Sequence, residues 1–124
     1  MQQRDANILT KIVSEIDLLS DALEGVTAED FNGDEMLKRA ATMCSINIGE
    51  LAKHLSSGFH EEYPGNELRM AARTRDVYAH GYYSLSFERV FETAREDYPR
   101  VKSWIESALS AKREETDRPS AKND

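Results

Sequence analysis

The segment best suited to chemistry contains an arginine and a histidine five residues apart, Arg75 and His80. A guanidinium binds phosphate oxygens through a planar fork that is permanently charged, and an imidazole exchanges protons near neutral pH. Asp76 lies four residues before His80, so on a helix the two side chains share a face and can touch. The carboxylate would then orient the imidazole and favour its charged form. Taken alone, however, an Asp–His pair at this spacing is more often a surface or capping contact.

Cleavage of RNA without a metal ion needs these same groups. One group must deprotonate the 2′-hydroxyl, another must protonate the departing 5′-oxygen, and a fixed cation must stabilise the transition state. One histidine in this segment supplies one proton-transfer group, whereas a two-fold dimer that faces two such segments would supply both. Arg69 and Arg73 precede the pair and could contact RNA. The segment is therefore locally basic in a chain whose formal net charge is −7.

The elements that must position these residues are helices. Apolar residues at helical spacing predict an all-α, up-and-down bundle of four long helices plus a short one. A capping pattern at Thr27 and Asp30 predicts the short helix, and Pro99 indicates a new helix start after Asp97 because proline is tolerated only in a first turn. The predicted helices cover residues 4–24, 35–57, 67–82 and 87–96, followed by a last helix from about 101 to 109, and residues 59–65 are predicted to be a loop.

Composition limits the class of protein. Residues 1–110 are predicted to form one folded domain, and residues 111–124, which contain no apolar residue larger than alanine, a mixed-charge, disordered tail. No segment reaches the roughly 20 apolar residues needed to span a bilayer, and the N-terminus lacks an apolar signal core, so we expect a cytoplasmic protein. The net charge argues against extensive wrapping of nucleic acid. The single cysteine, Cys44, has apolar neighbours and is predicted to be buried and inert.

The basic segment resembles the HEPN signature of HepT proteins, in which an arginine and a polar residue are followed by three residues, a histidine, any residue and a tyrosine. The matching residues here are Arg75, Asp76, His80 and Tyr82. Elements similar to those of HepT proteins also occur in the same order: residues 27–31, Ile48-Gly49-Glu50, and Asp97-Tyr98-Pro99 before an apolar helix. The likeness covers about residues 4–110. HepT proteins more often have asparagine at the position of Asp76, and we interpret this difference as tuning of His80.

The resemblance implies a five-helix HEPN fold and a homodimer with a composite Arg/His cleft. It also implies a metal-independent endoribonuclease, the toxin of a type VII-like pair that a cognate MNT-type nucleotidyltransferase antitoxin neutralises. In this hypothesis Arg75 holds phosphate, His80 is the general acid or base, and Asp76 orients His80. Tyr82 matches the tyrosine that the antitoxin can modify with AMP, an adduct that would exclude RNA by bulk and charge. We expect no cofactor, no metal ion, no DNA partner and no membrane association.

Two other interpretations remain open. The same fold could serve as a non-catalytic binding subunit for a nucleotidyltransferase, or it could be a structural bundle without a site. Glu50 could support the cleft or a dimer surface, or it could be an ordinary solvated residue. Glu50 and His54 are four apart and could pair, but a di-iron bundle needs repeated Glu-x-x-His motifs, which the sequence lacks.

Overall fold

The computed structural model describes residues 1–117, and these residues form helices and short connections without a β-strand. The predicted all-α bundle is confirmed. The helices are α1 (Gln3–Ala22), α2 (Ala28–Asn32), α3 (Glu35–Lys53), α4 (Ser57–Glu62), α5 (Leu68–His80), α6 (Phe87–Glu92) and α7 (Tyr98–Asp117). A 3₁₀ turn, Tyr82–Ser84, follows α5, and a π-helical segment, Thr93–Asp97, joins α6 to α7. None of the helices within residues 1–117 combines the length and apolar character that crossing a bilayer requires.

The core forms where the apolar faces of the long helices meet. Helix α3 packs on α1 along one side and on α5 along the other, and α7 closes the far side of α1. Ile12, Ile48 and Ile105, from α1, α3 and α7, are each 0% exposed, and full burial of such a side chain is worth about 1.5–3 kcal/mol. Cys44 is buried as predicted, and burial raises the pKa of its thiol.

Two predicted helix starts are confirmed by their caps. The backbone N–H of Asp30 donates to Thr27 Oγ1 at 3.0 Å, and the Thr27 N–H donates back to the Asp30 carboxylate at 3.3 Å. Asp34 Oδ1 accepts from two backbone N–H groups in the first turn of α3, each at 3.0 Å. These side chains satisfy backbone donors that a helix N-terminus leaves without partners. Helix α3, which carries half of the candidate site, therefore begins where its sequence indicates.

The predicted loop at residues 59–65 and the predicted end of the second long helix at residue 57 are wrong. Helix α3 stops at Lys53, and a separate helix, α4, follows. Ser56 caps α4 by accepting from the Phe59 N–H at 3.1 Å, and its hydroxyl donates to the buried carboxylate of Asp5 at 2.6 Å. Asp5 also accepts from the Ser56 N–H at 2.9 Å. The start of α4 is therefore fixed by hydrogen bonds between Ser56 and Asp5, which is distant in the sequence.

The chain does not break at Asp97 as predicted. The π-helical segment carries the helix from α6 into α7, and Pro99 lies in the first turn of α7. A π turn is wider than an α turn and accommodates the missing N–H and the bulky ring of a proline. Helix α7 continues to Asp117, seven residues past the predicted end of the folded domain. The rest of the predicted tail, residues 118–124, lies outside the described residues.

Candidate active site

Arg75 lies on the side of α5 that faces α3. The two helices cross closely at Gly49, where an added Cβ atom would come within 2.6 Å of the Ala71 carbonyl oxygen. The side chain of Arg75 is 32% exposed, and its Nε atom lies 3.1 Å from Glu50 Oε2. That N–H points at no acceptor among the described residues, so the pairing with Glu50 is ionic and not a hydrogen bond. Of the roles considered for Glu50, this contact favours support of the cleft.

Asp76 pairs with cations on both helices. Its Oδ1 atom accepts from Lys53 Nζ on α3 at 2.6 Å and from Arg75 Nη1 at 3.3 Å. The hydrogen bond from Lys53 is the main cause that lowers the pKa of Asp76, and Arg75 lowers it further. No hydrogen bond or ion pair joins Asp76 to His80 within residues 1–117, although the two share a helix face. The structure therefore connects Asp76 to Arg75 and not to the histidine that it was expected to orient.

His80 belongs to an exposed stripe along α5. Arg69, Arg73, Asp76 and His80 are separated by four, three and four residues, so they follow one face of the helix, and all four are exposed. Arg75 is directed about 140° away from His80, as a spacing of five residues requires in a regular helix. The helix stays regular to His80, and the extended backbone at Gly81 comes too late to turn His80 toward Arg75. Within one chain, Arg75 and His80 do not meet.

Tyr82 lies beside the first turns of α3. Its hydroxyl donates to Glu35 Oε2 at 3.3 Å and accepts from Arg39 Nη1 at 3.2 Å. The guanidinium carbon of Arg39 is 4.4 Å from the centre of the Tyr82 ring. Partial desolvation is the largest effect on the pKa of Tyr82 and raises it. Helices α3 and α5 are antiparallel. Arg39, which contacts Tyr82, and Glu50, which contacts Arg75, are eleven residues apart on α3, roughly 16 Å along the helix.

Three neighbours of the motif were not predicted from the sequence. Lys53 contacts Asp76, and Glu35 and Arg39 contact Tyr82. The four-residue spacing of Glu35 and Arg39, which form an ion pair at 2.6 Å, was a visible signal on α3. Nothing in the local pattern connected Lys53 with Asp76, because their contact depends on how two helices cross.

A groove of about 460 Å³ runs between α3 and the end of α5. Apolar side chains on its rim are open to solvent, since Met43 is 56% exposed and Tyr83 91% exposed. Val77, on the neighbouring face of α5, is 63% exposed. The groove is lined by Arg39, Thr42, Met43, Ile46, Tyr78, Ala79, Tyr82 and Tyr83. An exposed apolar surface therefore lies next to Tyr82, at the end of α5 that carries His80.

Comparison with known proteins decides the family. The profile of the family described as "Ribonuclease HepT-like" matches residues 12–108, most of the chain. The chain belongs to the HepT-like ribonuclease family. The resemblance inferred from the Arg75–Tyr82 signature is thereby confirmed, and the match spans nearly the same residues as the inferred likeness.

Relatives of this HepT-like chain carry ribonuclease names. It is 28% identical over 101 residues to the "Putative RNase TTE0752" of Caldanaerobacter subterraneus, and this alignment covers 82% of this chain and 90% of that protein. It is 28% identical over 110 residues to the "Putative RNase MJ0125" of Methanocaldococcus jannaschii, with 88% and 95% covered. It is also 27% identical over 106 residues to the "Probable ribonuclease HepT" of Thermococcus cleftensis, with 86% and 96% covered. No solved structure matches the chain.

Proposed function

We propose that this HepT-like chain is a metal-independent endoribonuclease that acts in the cytoplasm as a homodimer. The observation that carries the proposal is the basic character of α5. The exposed stripe of Arg69, Arg73, Asp76 and His80 is cationic overall, because its two arginines outnumber its one carboxylate, and it lies next to Arg75. The rest of the chain would repel RNA, because the net charge of the whole chain is −7. Membership of a ribonuclease family supports RNA as the polyanion that this stripe meets.

The proposed chemistry uses two imidazoles and a guanidinium. The neutral imidazole of one His80 takes the proton of the RNA 2′-hydroxyl, and the resulting oxygen attacks the adjacent phosphorus. The bond between phosphorus and the 5′-oxygen breaks as the protonated imidazole of the second His80 delivers its proton to the leaving oxygen. The products are a 2′,3′-cyclic phosphate and a free 5′-hydroxyl. Arg75 holds the phosphate oxygens on which negative charge increases in the transition state.

A second copy of the chain completes this site. A single chain offers one histidine on α5 and directs Arg75 and His80 to different faces, so one chain lacks a second proton-transfer group at the phosphate. Met43 and Tyr83 are exposed along the groove between α3 and the end of α5, and Val77 is exposed three residues before His80. A two-fold contact through these side chains would bury apolar surface and bring two α5 helices together. This arrangement is the composite cleft that we propose.

The proposed regulator is an MNT-type nucleotidyltransferase, the antitoxin of a type VII-like pair. Tyr82 lies at the surface after α5, and its hydroxyl is held between Arg39 and Glu35. Transfer of AMP from ATP to this hydroxyl would release pyrophosphate and leave a bulky anionic adduct two residues from His80. Such an adduct would repel RNA phosphates from the cationic stripe.

The decisive experiment is cleavage of mixed cellular RNA by the purified protein in excess chelator, after mass spectrometry has shown that Tyr82 is unmodified. We expect the wild type to cut RNA, and Arg75→Ala and His80→Ala each to lose at least 100-fold in rate, on the order of one acid–base or electrostatic contribution. His60→Ala is the matched control and should cut normally, because this histidine on α4 contacts Asn66 at the start of α5, the opposite end of that helix from His80. Unchanged cleavage by His80→Ala would refute the proposed mechanism, and loss of wild-type cleavage in chelator would refute metal independence.

The competing function is a non-catalytic subunit that binds a nucleotidyltransferase. The pairing of Arg75 with two carboxylates, Glu50 and Asp76, favours this alternative, because it leaves the guanidinium partly neutralised in the free chain. Tight complex formation with the nucleotidyltransferase, together with no cleavage by the unmodified wild type, would establish the binding subunit instead.

A further inference from the structure

One carboxylate oxygen of the site contacts two cations from two helices. Asp76 Oδ1 lies 2.6 Å from Lys53 Nζ on α3 and 3.3 Å from Arg75 Nη1 on α5. Any anionic oxygen placed at the same point would contact the ammonium and the guanidinium together. A non-bridging phosphate oxygen has the same charge preference and similar hydrogen-bond distances. The position of Asp76 Oδ1 therefore marks a place where a phosphate oxygen can be bound by both helices.

The surrounding contacts direct both cations toward this point. Glu50 pairs with the Nε side of Arg75 at 3.1 Å, which leaves the Nη1 end of the guanidinium toward Asp76. The side chain of Lys53 is 38% exposed and that of Asp76 is 55% exposed, so a ligand can reach both from solvent. Exposed ion pairs contribute little to stability. A phosphate can therefore displace the Asp76 carboxylate at little cost.

We propose that Lys53 is a second phosphate-binding residue beside Arg75, and that Asp76 occupies the phosphate position until RNA displaces it. This inference rests on the proposed ribonuclease function and adds a residue from α3 to a site otherwise built on α5. It also assigns Asp76 a different role. As a competitor of RNA for Lys53 and Arg75, Asp76 weakens RNA binding when it is charged, whereas a residue that orients His80 would affect the rate of cleavage.

Equilibrium binding tests this inference without cleavage. The probe is a fluorescent single-stranded RNA oligonucleotide in chelator, measured by anisotropy over a series of salt concentrations, with His80→Ala present in every protein so that the RNA stays intact. Adding Lys53→Ala should weaken binding about tenfold at low salt, as expected for one charge-assisted hydrogen bond. It should also make the plot of log association constant against log salt concentration less steep by about 0.7 for each lost lysine contact, the value for one phosphate contact on a single strand. Lys53→Arg should restore both, and Asp76→Asn should tighten binding severalfold.

The chain offers a closely matched control. Lys102 on α7 pairs with Asp17 at 2.5 Å and is 34% exposed, nearly the same exposure and ion pair as Lys53, but on the α1–α7 side of the bundle. Lys102→Ala removes the same charge and should leave affinity and salt slope unchanged. Equal losses in Lys53→Ala and Lys102→Ala would overturn the inference in favour of a general charge effect.

Failure of this inference is distinguishable from failure of the proposed function. If the wild type cuts RNA and Lys53→Ala binds it with unchanged affinity and salt slope, Lys53 is not a phosphate ligand and only this inference falls. If Asp76→Asn weakens binding, the competitor role of Asp76 is wrong. If the wild type neither binds nor cuts RNA, the proposed function and this inference fall together.

Discussion

Arg75 packs directly on Gly49, so closely that a Cβ atom added to Gly49 would lie 2.1 Å from the Cβ of Arg75 and 3.0 Å from its Cγ. The contact joins the middle of α5 to the last turns of α3 and fixes the position of the Arg75 Cβ atom relative to α3. Because no side chain other than hydrogen fits between the helices there, Gly49 determines the distance from Arg75 to Glu50. The glycine in the Ile48-Gly49-Glu50 segment thus has a specific role in positioning the site.

Gly49→Ala should therefore separate α3 from α5 at the site. We expect the free energy of unfolding to fall by about 1–3 kcal/mol, the usual cost of overpacking, and RNA cleavage to fall together with displacement of Arg75. Urea denaturation and RNA cleavage measure the two effects. Gly58→Ala in α4 is the control, because its added Cβ would meet only the Ser56 hydroxyl at 3.8 Å. It should change stability by less than about 1 kcal/mol, and an equal loss in both variants would contradict the steric explanation.

The proposed composite cleft implies that one defective subunit inactivates a dimer. After complete subunit exchange between equal amounts of wild type and His80→Ala, only about a quarter of the dimers carry two His80 side chains. If both imidazoles are needed, RNA cleavage should fall to about a quarter of that of an equal total amount of wild-type protein. Activity of about one half would indicate that each subunit works alone. Mixing with His60→Ala in place of His80→Ala should leave activity unchanged.

Modification by the proposed nucleotidyltransferase antitoxin should distinguish two adjacent tyrosines. Tyr83 is 91% exposed, whereas the Tyr82 hydroxyl is held by Arg39 and Glu35. Incubation with the nucleotidyltransferase and labelled ATP should place AMP on the wild type and on Tyr83→Phe, and Tyr82→Phe should take up essentially none. Peptide mass spectrometry identifies the modified residue. Label on Tyr83 would show that exposure governs the transfer, and Tyr82 would lose its proposed regulatory role.

A buried tyrosine makes stability depend on alkaline pH. Tyr98 is 5% exposed, and burial raises its pKa well above the usual value. In the unfolded chain a tyrosine ionises near pH ~10, so above that pH the unfolded state holds fewer protons and the folded state loses relative stability as pH rises. The slope attributable to Tyr98 approaches about 1.4 kcal/mol per pH unit.

Tyr98→Phe should therefore show a shallower loss of stability between about pH 10 and 11.5 than the wild type. Urea denaturation at several pH values measures the slope for each protein. Tyr83→Phe removes the same hydroxyl from an exposed position and should follow the wild-type curve. Parallel curves for wild type and Tyr98→Phe would show that Tyr98 does not remain protonated in the folded state.

Features with local causes were predictable from the sequence. Helical spacing of apolar residues depends on neighbours three and four positions away, and the span of α1 and the start of α3 followed from it to within two residues. The caps at Thr27 and Asp34 are equally local, since each side chain binds backbone N–H groups two or three residues ahead. The signature from Arg75 to Tyr82 identified the family without any tertiary contact.

Features that join distant residues were decided only by the fold. Helix α4 has a start supported by Asp5, 51 positions before Ser56, and Asp76 binds Lys53, 23 positions away, instead of the nearby His80. The sequence by itself determined most of the helices and the segment that matches the family signature. The tertiary structure decided their partners, because a helix sets only the direction in which a side chain points. What that side chain meets depends on where another helix crosses, and here the crossing of α3 and α5 at Gly49 brings Glu50 and Lys53 to the site.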